Sequence, residues 1–278
     1  MVPRASTIVL VIIISFVAMM QFSHIAVEYF APSKSSHARD QVVHLFFTGG
    51  VASTYHLCHR LLVDGRRVRP VYISANIDDT DPRRCRLSIV EELRSIKRVI
   101  ELIRRKFPAA SERLMPPQYE SYMIIDKDVL AARKRLFNGS SGGQYAGTCQ
   151  WVRNQSTLGS SNIEMAVLFG SRTQKLHALI KENCKKVQDR YVVRSNRRRT
   201  DFGLLFGRVD FSLVDMDAGR MQSVARRHGF QSIMTRAWTC WVPNRQSGEA
   251  CGRCAGCADR HRFIQIGRDL RSRTTRSG

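Results

Sequence analysis

The sequence predicts an α/β protein, a parallel sheet with helices on both faces, closed by a C-terminal metal-binding segment. Two observations carry that reading. Short apolar, β-branched runs alternate with helical stretches from residue 42 onward, the order that winds a parallel sheet. Four of the eight cysteines crowd into residues 240–257, at gaps that suit a single metal ion.

Taken in order, Val42–Phe47 is short, branched and aromatic, and reads as a buried first strand. It runs into Thr48-Gly49-Gly50-Val51-Ala52-Ser53-Thr54. A helix follows, with Tyr55, Leu57, Cys58, Leu61 and Leu62 on one face, ending near Asp64-Gly65. Pro70–Ser74 is a second strand, so these elements make a βαβ unit. Arg86–Phe107 is helical, with Leu87, Val90, Leu93, Ile96, Ile100 and Ile103 as its apolar residues. Further strands are expected at Ser121–Ile125 and Ile163–Leu168. Helices are expected at Val129–Phe137, Gln144–Arg153 and Thr173–Cys184, and another leads from Asp217 through Arg227. Asn138–Gly143 and the basic stretch Arg194–Thr200 are loops, and the tail from Arg268 reads as disordered.

The N-terminus has a different character. Ile8–Phe22 is almost wholly apolar, with Arg4 ahead of it. A spanning helix needs roughly 20 such residues, which this run reaches only if extended to Phe30. Residues 1–30 therefore resemble a signal peptide or signal anchor and are expected to engage a membrane through residues 8–30. Residues 31–40 form a polar linker, residues 41–235 the sheet domain, residues 236–266 the cysteine segment and residues 267–278 a basic tail. Spacing of the cysteines favours thiols, hence a reducing compartment with the domain on the cytoplasmic side. Asn138-Gly-Ser140 and Asn154-Gln-Ser156 fit the glycosylation triplet, which is common by chance.

The chain has 278 residues and a net charge of +22, from 45 Lys and Arg against 23 Asp and Glu. Its hydrophobic content of 43% is ordinary for a globular protein and excludes a disordered chain. Such a charge attracts polyanions, nucleic acid among them, or is simply a solvated basic surface.

A strand that runs into Thr-Gly-Gly and then a helix has a mechanical use. Glycines permit a tight turn with bare amides, and the helix N-terminus adds partial positive charge, so the turn suits a phosphate. The same turn also serves as a plain strand–helix connection. Its spacing fits neither the dinucleotide-binding nor the Walker pattern. Cys240, Cys251, Cys254 and Cys257 supply four thiolates, a closed tetrahedral shell that suits structural zinc. The Cys-x-x-Cys-x-x-Cys run also suits an iron–sulfur cluster, and two disulfides are the alternative in an oxidising compartment.

Thr48-Gly-Gly-Val-Ala-Ser-Thr54 resembles the Ser-Gly-Gly-x-Asp-Ser signature of PP-loop ATP pyrophosphatases, whose fold is adenine nucleotide alpha-hydrolase-like. Trp238-Thr-Cys-Trp-Val-Pro243 with Ala250-Cys-Gly-Arg-Cys-Ala-Gly-Cys257 and Arg260 is similar to the C-terminal zinc motif of 7-cyano-7-deazaguanine synthases within that superfamily. The resemblance spans residues 41–266. It implies nucleotide binding by Thr48, Gly49, Gly50, Val51, Ser53 and Thr54, zinc on the four cysteines, and ATP with Mg²⁺ as substrate and ion. The reaction implied adenylates 7-carboxy-7-deazaguanine, which ammonia then converts to the nitrile, a step of queuosine biosynthesis. Ala52 stands where the family has an aspartate that helps hold magnesium, so impaired activity is expected. Asp78, Asp79 and Asp81, after the second strand, are possible substitutes. Trp151-Val-Arg-Asn154 echoes the family's middle motif, and Gln144-Tyr145 opens a helix that faces the site or simply begins there. His56 and His59 read as faces of the first helix, with His44 nearby. The alternative function is a non-catalytic, zinc-containing binder of nucleotide or RNA on the same fold.

Overall fold

The computed structural model describes residues 41–74, 88–121, 123–137, 143–155, 162–170, 173–244 and 246–274. The apolar start, its linker, Asp78, Asp79, Asp81, Cys85 and Asn138 lie outside the described residues. Among the described residues no helix is long and apolar enough to cross a membrane.

Seven strands form one sheet: β1 (Val43–Phe46), β2 (Val68–Ile73), β3 (Gln118–Glu120), β4 (Ile163–Ala166), β5 (Cys184–Val187), β6 (Arg190–Val193) and β7 (Asp210–Ser212). Their spatial order is β3-β2-β1-β4-β7-β6-β5. The first five in that order pair in parallel, as expected. At the far edge β5 and β6 form an antiparallel hairpin on β7, so the sheet is mostly, not wholly, parallel.

Successive strand residues point to opposite faces, and each face buries its own core. Val71, Ile73, Ile163 and Met165 pack on one side with α4 (Lys127–Phe137), α5 (Gly143–Asn154), α6 (Gln174–Asn183) and α7 (Asp201–Phe206). Val43, Leu45, Val68 and Tyr72 pack on the other. There they meet α1 (Val51–Cys58, continued by a π-helical turn to Val63), α2 (Ile89–Lys106), α8 (Ala218–Arg227) and α9 (Gln231–Met234). Phe263 of α10 (Ala255–Thr274) joins this second core. A short turn, α3 (Pro108–Ser111), follows α2.

Four expectations need correction. The strand expected at Ser121–Ile125 lies at Gln118–Glu120, because the neighbouring β2 offers backbone partners only as far as Ser74, which bonds Glu120. Met123 and Ile125 serve instead as packing against the core. Cys184 does not end a helix but begins β5. The tail expected to be disordered from Arg268 continues α10 to Thr274. In α2, Val90 and Leu93 face solvent, while Glu92, Ser95, Ile96, Val99, Ile100 and Ile103 face inward. Residues spaced by three slip about 60° around a helix per step, so Val90 and Ile96 cannot share a face.

Candidate ligand cavity and metal centre

Strand order reverses at β1, with β2 on one side and β4 on the other. Connections leave these strands in opposite directions, which opens a crevice at their carboxyl ends. A cavity of about 610 Å³ lies there. Thr48, Gly50, Val51, Ala52 and Ser53 border it after β1, Val167–Gly170 after β4, and Met216–Gly219 beyond β7. A further wall comes from Trp238, Thr239, Trp241, Gly256 and the α10 residues Asp259, Arg260, Arg262, Phe263 and Ile266. A shallower hollow of about 440 Å³ between Val90–Arg94 and Pro243–Gly248 touches neither the glycine turn nor the cysteines.

The turn is built by backbone geometry. Gly49 has φ +69°, and a Cβ there would sit 3.0 Å from Ser95 Cβ, so only glycine fits. Its carbonyl accepts from Ser95 Oγ at 3.0 Å and from the Trp238 N–H at 2.8 Å. Gly50 is the N-cap of α1 and accepts from the Thr54 N–H at 2.8 Å. The first N–H groups of a helix have no intrahelical acceptor, and α1 begins at the border of the cavity. Thr48, Gly50, Val51 and Ser53 thus border the cavity as the motif suggests. Gly49 and Thr54 do not: the Gly49 carbonyl is committed to the scaffold, and Thr54 is fully buried with Oγ1 unpartnered. Ala52 does border the cavity.

Three carboxylates line it, of which only Asp217 figures in the sequence reading, and there as the start of a helix. Glu92 is buried and accepts from Ser88 Oγ at 2.7 Å and Tyr72 OH at 3.0 Å. Asp217 caps α8 by accepting from the Arg220 N–H at 2.8 Å. Asp259 stands on α10, where partial burial raises its carboxyl against the opposing pull of Arg262. Leu213 adopts φ +64° just after β7, a bend that turns the following residues toward the cavity; His177 Nε2 lies 2.7 Å from the next carbonyl, Val214 O.

Between the first helix and β4 runs a buried charge network that the sequence reading missed. His56 donates to Glu164 at 2.5 Å, and Arg60 Nε reaches the same carboxylate at 2.9 Å. Arg60 also bonds Asp64 and Asp189. Burial alone would raise Glu164, but His56 and Arg60 outweigh it and hold the carboxyl at about 2. Burial lowers the His56 imidazole, against the pull of that carboxylate. Across the β4–β7 register, burial pushes Asp210 up to about 6, against the pull of Arg190 at 2.7 Å. A lone glutamate inside the apolar run Ile163–Leu168 was the available signal.

The four clustered cysteines converge. Their sulfurs all lie within 4.8 Å of one another, with Cys254 at 3.6 Å from Cys257 and 3.9 Å from Cys240. A tetrahedral ion with Zn–S bonds of about 2.3 Å needs sulfurs about 3.8 Å apart. Cys251 N–H donates to Cys240 Sγ at 3.2 Å. At Cys254, burial is outweighed by N–H donation from Trp241 and Cys257, which brings the thiol down to about 6; burial raises Cys257 to about 12. Gly252 has φ +72°, and a Cβ on Gly256 would sit 1.9 Å from the Thr239 carbonyl, so both glycines are required. All four thiols are free, as are Cys58, Cys149 and Cys184. These residues fit a structural metal such as zinc.

Other marked residues fall elsewhere. Trp151 is core, Arg153 pairs with Asp128 on the surface, and no residue of Trp151–Asn154 borders the cavity. Tyr145 does border it. His59 contacts Asp64 at 3.1 Å, and His44 is buried with its imidazole lowered by desolvation. No protein-family model matches the chain, and no curated protein matches it.

Proposed function

We propose that the chain is a PP-loop nucleotide-binding protein of the 7-cyano-7-deazaguanine synthase kind, with zinc on Cys240, Cys251, Cys254 and Cys257 and slow catalysis. One observation supports this most. The glycine turn and the cysteine segment, far apart in sequence, form facing walls of one cavity at the switch point of a parallel sheet. In this reading, N–H groups at the start of α1 and the hydroxyls of Thr48 and Ser53 take the polyphosphate of ATP. Arg260 and Arg262, on the opposite wall, add positive charge.

Mg²⁺ would neutralise phosphate charge as the substrate carboxylate is adenylated. Position 52 borders the cavity but offers only a methyl group. Glu92 is the buried carboxylate that would take over part of the ion's ligation. The substrate proposed is 7-carboxy-7-deazaguanine, with ammonia as the nitrogen donor. Ala52 and the net charge of +22 favour a second reading, a non-catalytic binder of nucleotide or RNA. Pyrophosphate release from ATP, Mg²⁺ and 7-carboxy-7-deazaguanine separates the two. Release above the protein-free rate supports the ligase; nucleotide or salt-sensitive RNA binding without release supports the binder. The free thiols fit a domain on the reducing, cytoplasmic side, with residues 8–30 as a proposed membrane contact.

A further inference from the structure

Strands β1 and β2 both begin at the end of the sheet opposite the cavity, and cations collect there. The Val43 N–H donates to the Arg67 carbonyl at 2.8 Å and the Val68 N–H to the Arg113 carbonyl at 2.9 Å, so both arginines flank the strand starts. α2 ends in Arg104, Arg105 and Lys106, α3 carries the chain on to Arg113, and α8 ends in Arg227. The two helix ends abut. Lys106 Nζ donates to Ser232 Oγ at 2.6 Å, and a Cβ on Gly229 would stand 3.8 Å from the Phe107 ring. Five of these cations are exposed and Arg113 is half-buried; among the described residues none of the six is in an ion pair. Residues 65–69, 101–115 and 218–230 hold only Glu101 and Glu112 as acids, so the surface is strongly positive. Cations in the last turn of a helix complement its dipole. That accounts for Arg104, Arg105, Lys106 and Arg227, but not for Arg67 and Arg113, which lie outside helices.

Position decides which polyanion this surface fits. β1 receives the chain from residues 31–40, ahead of which runs the apolar stretch Ile8–Phe22. That linker extends to at most about 35 Å. A bilayer holding residues 8–30 is thereby tethered to this end of the sheet, while the cavity opens at the other. We propose that this basic end docks on anionic lipid headgroups and leaves the cavity facing solvent. The assignment rests on the membrane contact proposed above for residues 8–30. Each Lys or Arg held within a Debye length of such a surface, about 8 Å, strengthens adsorption about fivefold.

The test uses the full, metal-containing chain and co-sedimentation with vesicles of phosphatidylcholine, alone or with about a third phosphatidylserine. The chain is expected to bind the anionic vesicles at least about tenfold more tightly, a preference that about 0.5 M salt removes. Arg105→Glu with Arg227→Glu should bring that preference below about twofold. Arg105→Gln with Arg227→Gln, which puts no acid on either helix end, should give an intermediate loss. Lys175→Glu with Arg220→Glu, at helix starts on the cavity side, changes the net charge equally and should leave the preference intact. An equal loss in that control pair would trace the preference to net charge and overturn the docking face. Equal binding to both vesicles would also overturn it, while leaving the contact of residues 8–30 in place. Binding to anionic vesicles alone, lost in Arg105→Glu with Arg227→Glu, would uphold the face and remove that contact. Polyuridylate binding weakened by the same pair, with the vesicle preference unchanged, would assign the face to nucleic acid instead.

Discussion

The backbone N–H of Trp238 donates to the carbonyl of Gly49 at 2.8 Å, and Ser95 Oγ bridges the same two groups at 3.1 and 3.0 Å. The glycine turn is therefore fastened to the segment that enters the cysteine cluster two residues later. Whatever orders the cysteines also holds the turn.

Metal removal should accordingly reach the cavity. Purified protein is expected to contain about one zinc per chain by elemental analysis, lost in Cys254→Ser. That loss should lower the melting temperature and weaken nucleotide binding at least tenfold, because Trp238–Ile266 supplies one wall. Intact nucleotide affinity in metal-free, still-folded protein would show that the two sites are uncoupled.

Gly256→Ala should behave like metal loss without touching a ligand. The added methyl would fall 1.9 Å from the Thr239 carbonyl, so α10 must move away from the segment bearing Cys240. A zinc content well below stoichiometric and a destabilisation of about 2 kcal/mol or more are expected, typical of forced overpacking. Normal zinc content and melting would contradict the packing described.

Catalysis should respond to position 52. Ala52→Asp places a carboxylate at the border of the cavity and is expected to raise Mg²⁺-dependent pyrophosphate release about a hundredfold, the usual scale for one electrostatic element. Glu92→Gln should cut the residual release of the natural chain. If Ala52→Asp gains nothing while the ATP analogue still binds, the binder reading is preferred.

The buried network gives a signed pH dependence. Glu164 is depressed to about 2 from an ordinary value of 4.5. Its stabilisation is thus fully present above pH 4.5 and is lost as pH falls through about 2. Glu164→Gln should cost on the order of 2–3 kcal/mol at neutral pH and flatten that acid limb. Asp210 has the opposite sign: raised from 3.8 to about 6, its contribution is present below 3.8 and lost as pH rises through 6. Asp210→Asn should therefore gain on the natural chain between pH 4 and 6. Chemical denaturation across pH 2–8 checks both; parallel curves for variant and natural chain would refute the assignments.

Sequence alone determined what local spacing can determine. Alternating periodicities gave the α/β class and most elements, Thr48–Thr54 its strand–turn–helix setting, and Cys240, Cys251, Cys254 and Cys257 their convergence. These signals reside in neighbouring residues, where two-residue gaps and glycines constrain the backbone directly. Tertiary structure alone decided the rest. Glu92 and Ser95 look like ordinary polar helix residues until the 3.6-residue period turns them inward, against β2 and Gly49. Glu164 acquires its meaning from Arg60 and His56, across distances in sequence that no local pattern records. Buried polar chemistry is set by which side chains the sheet order brings face to face, and that order is a property of the whole packed chain.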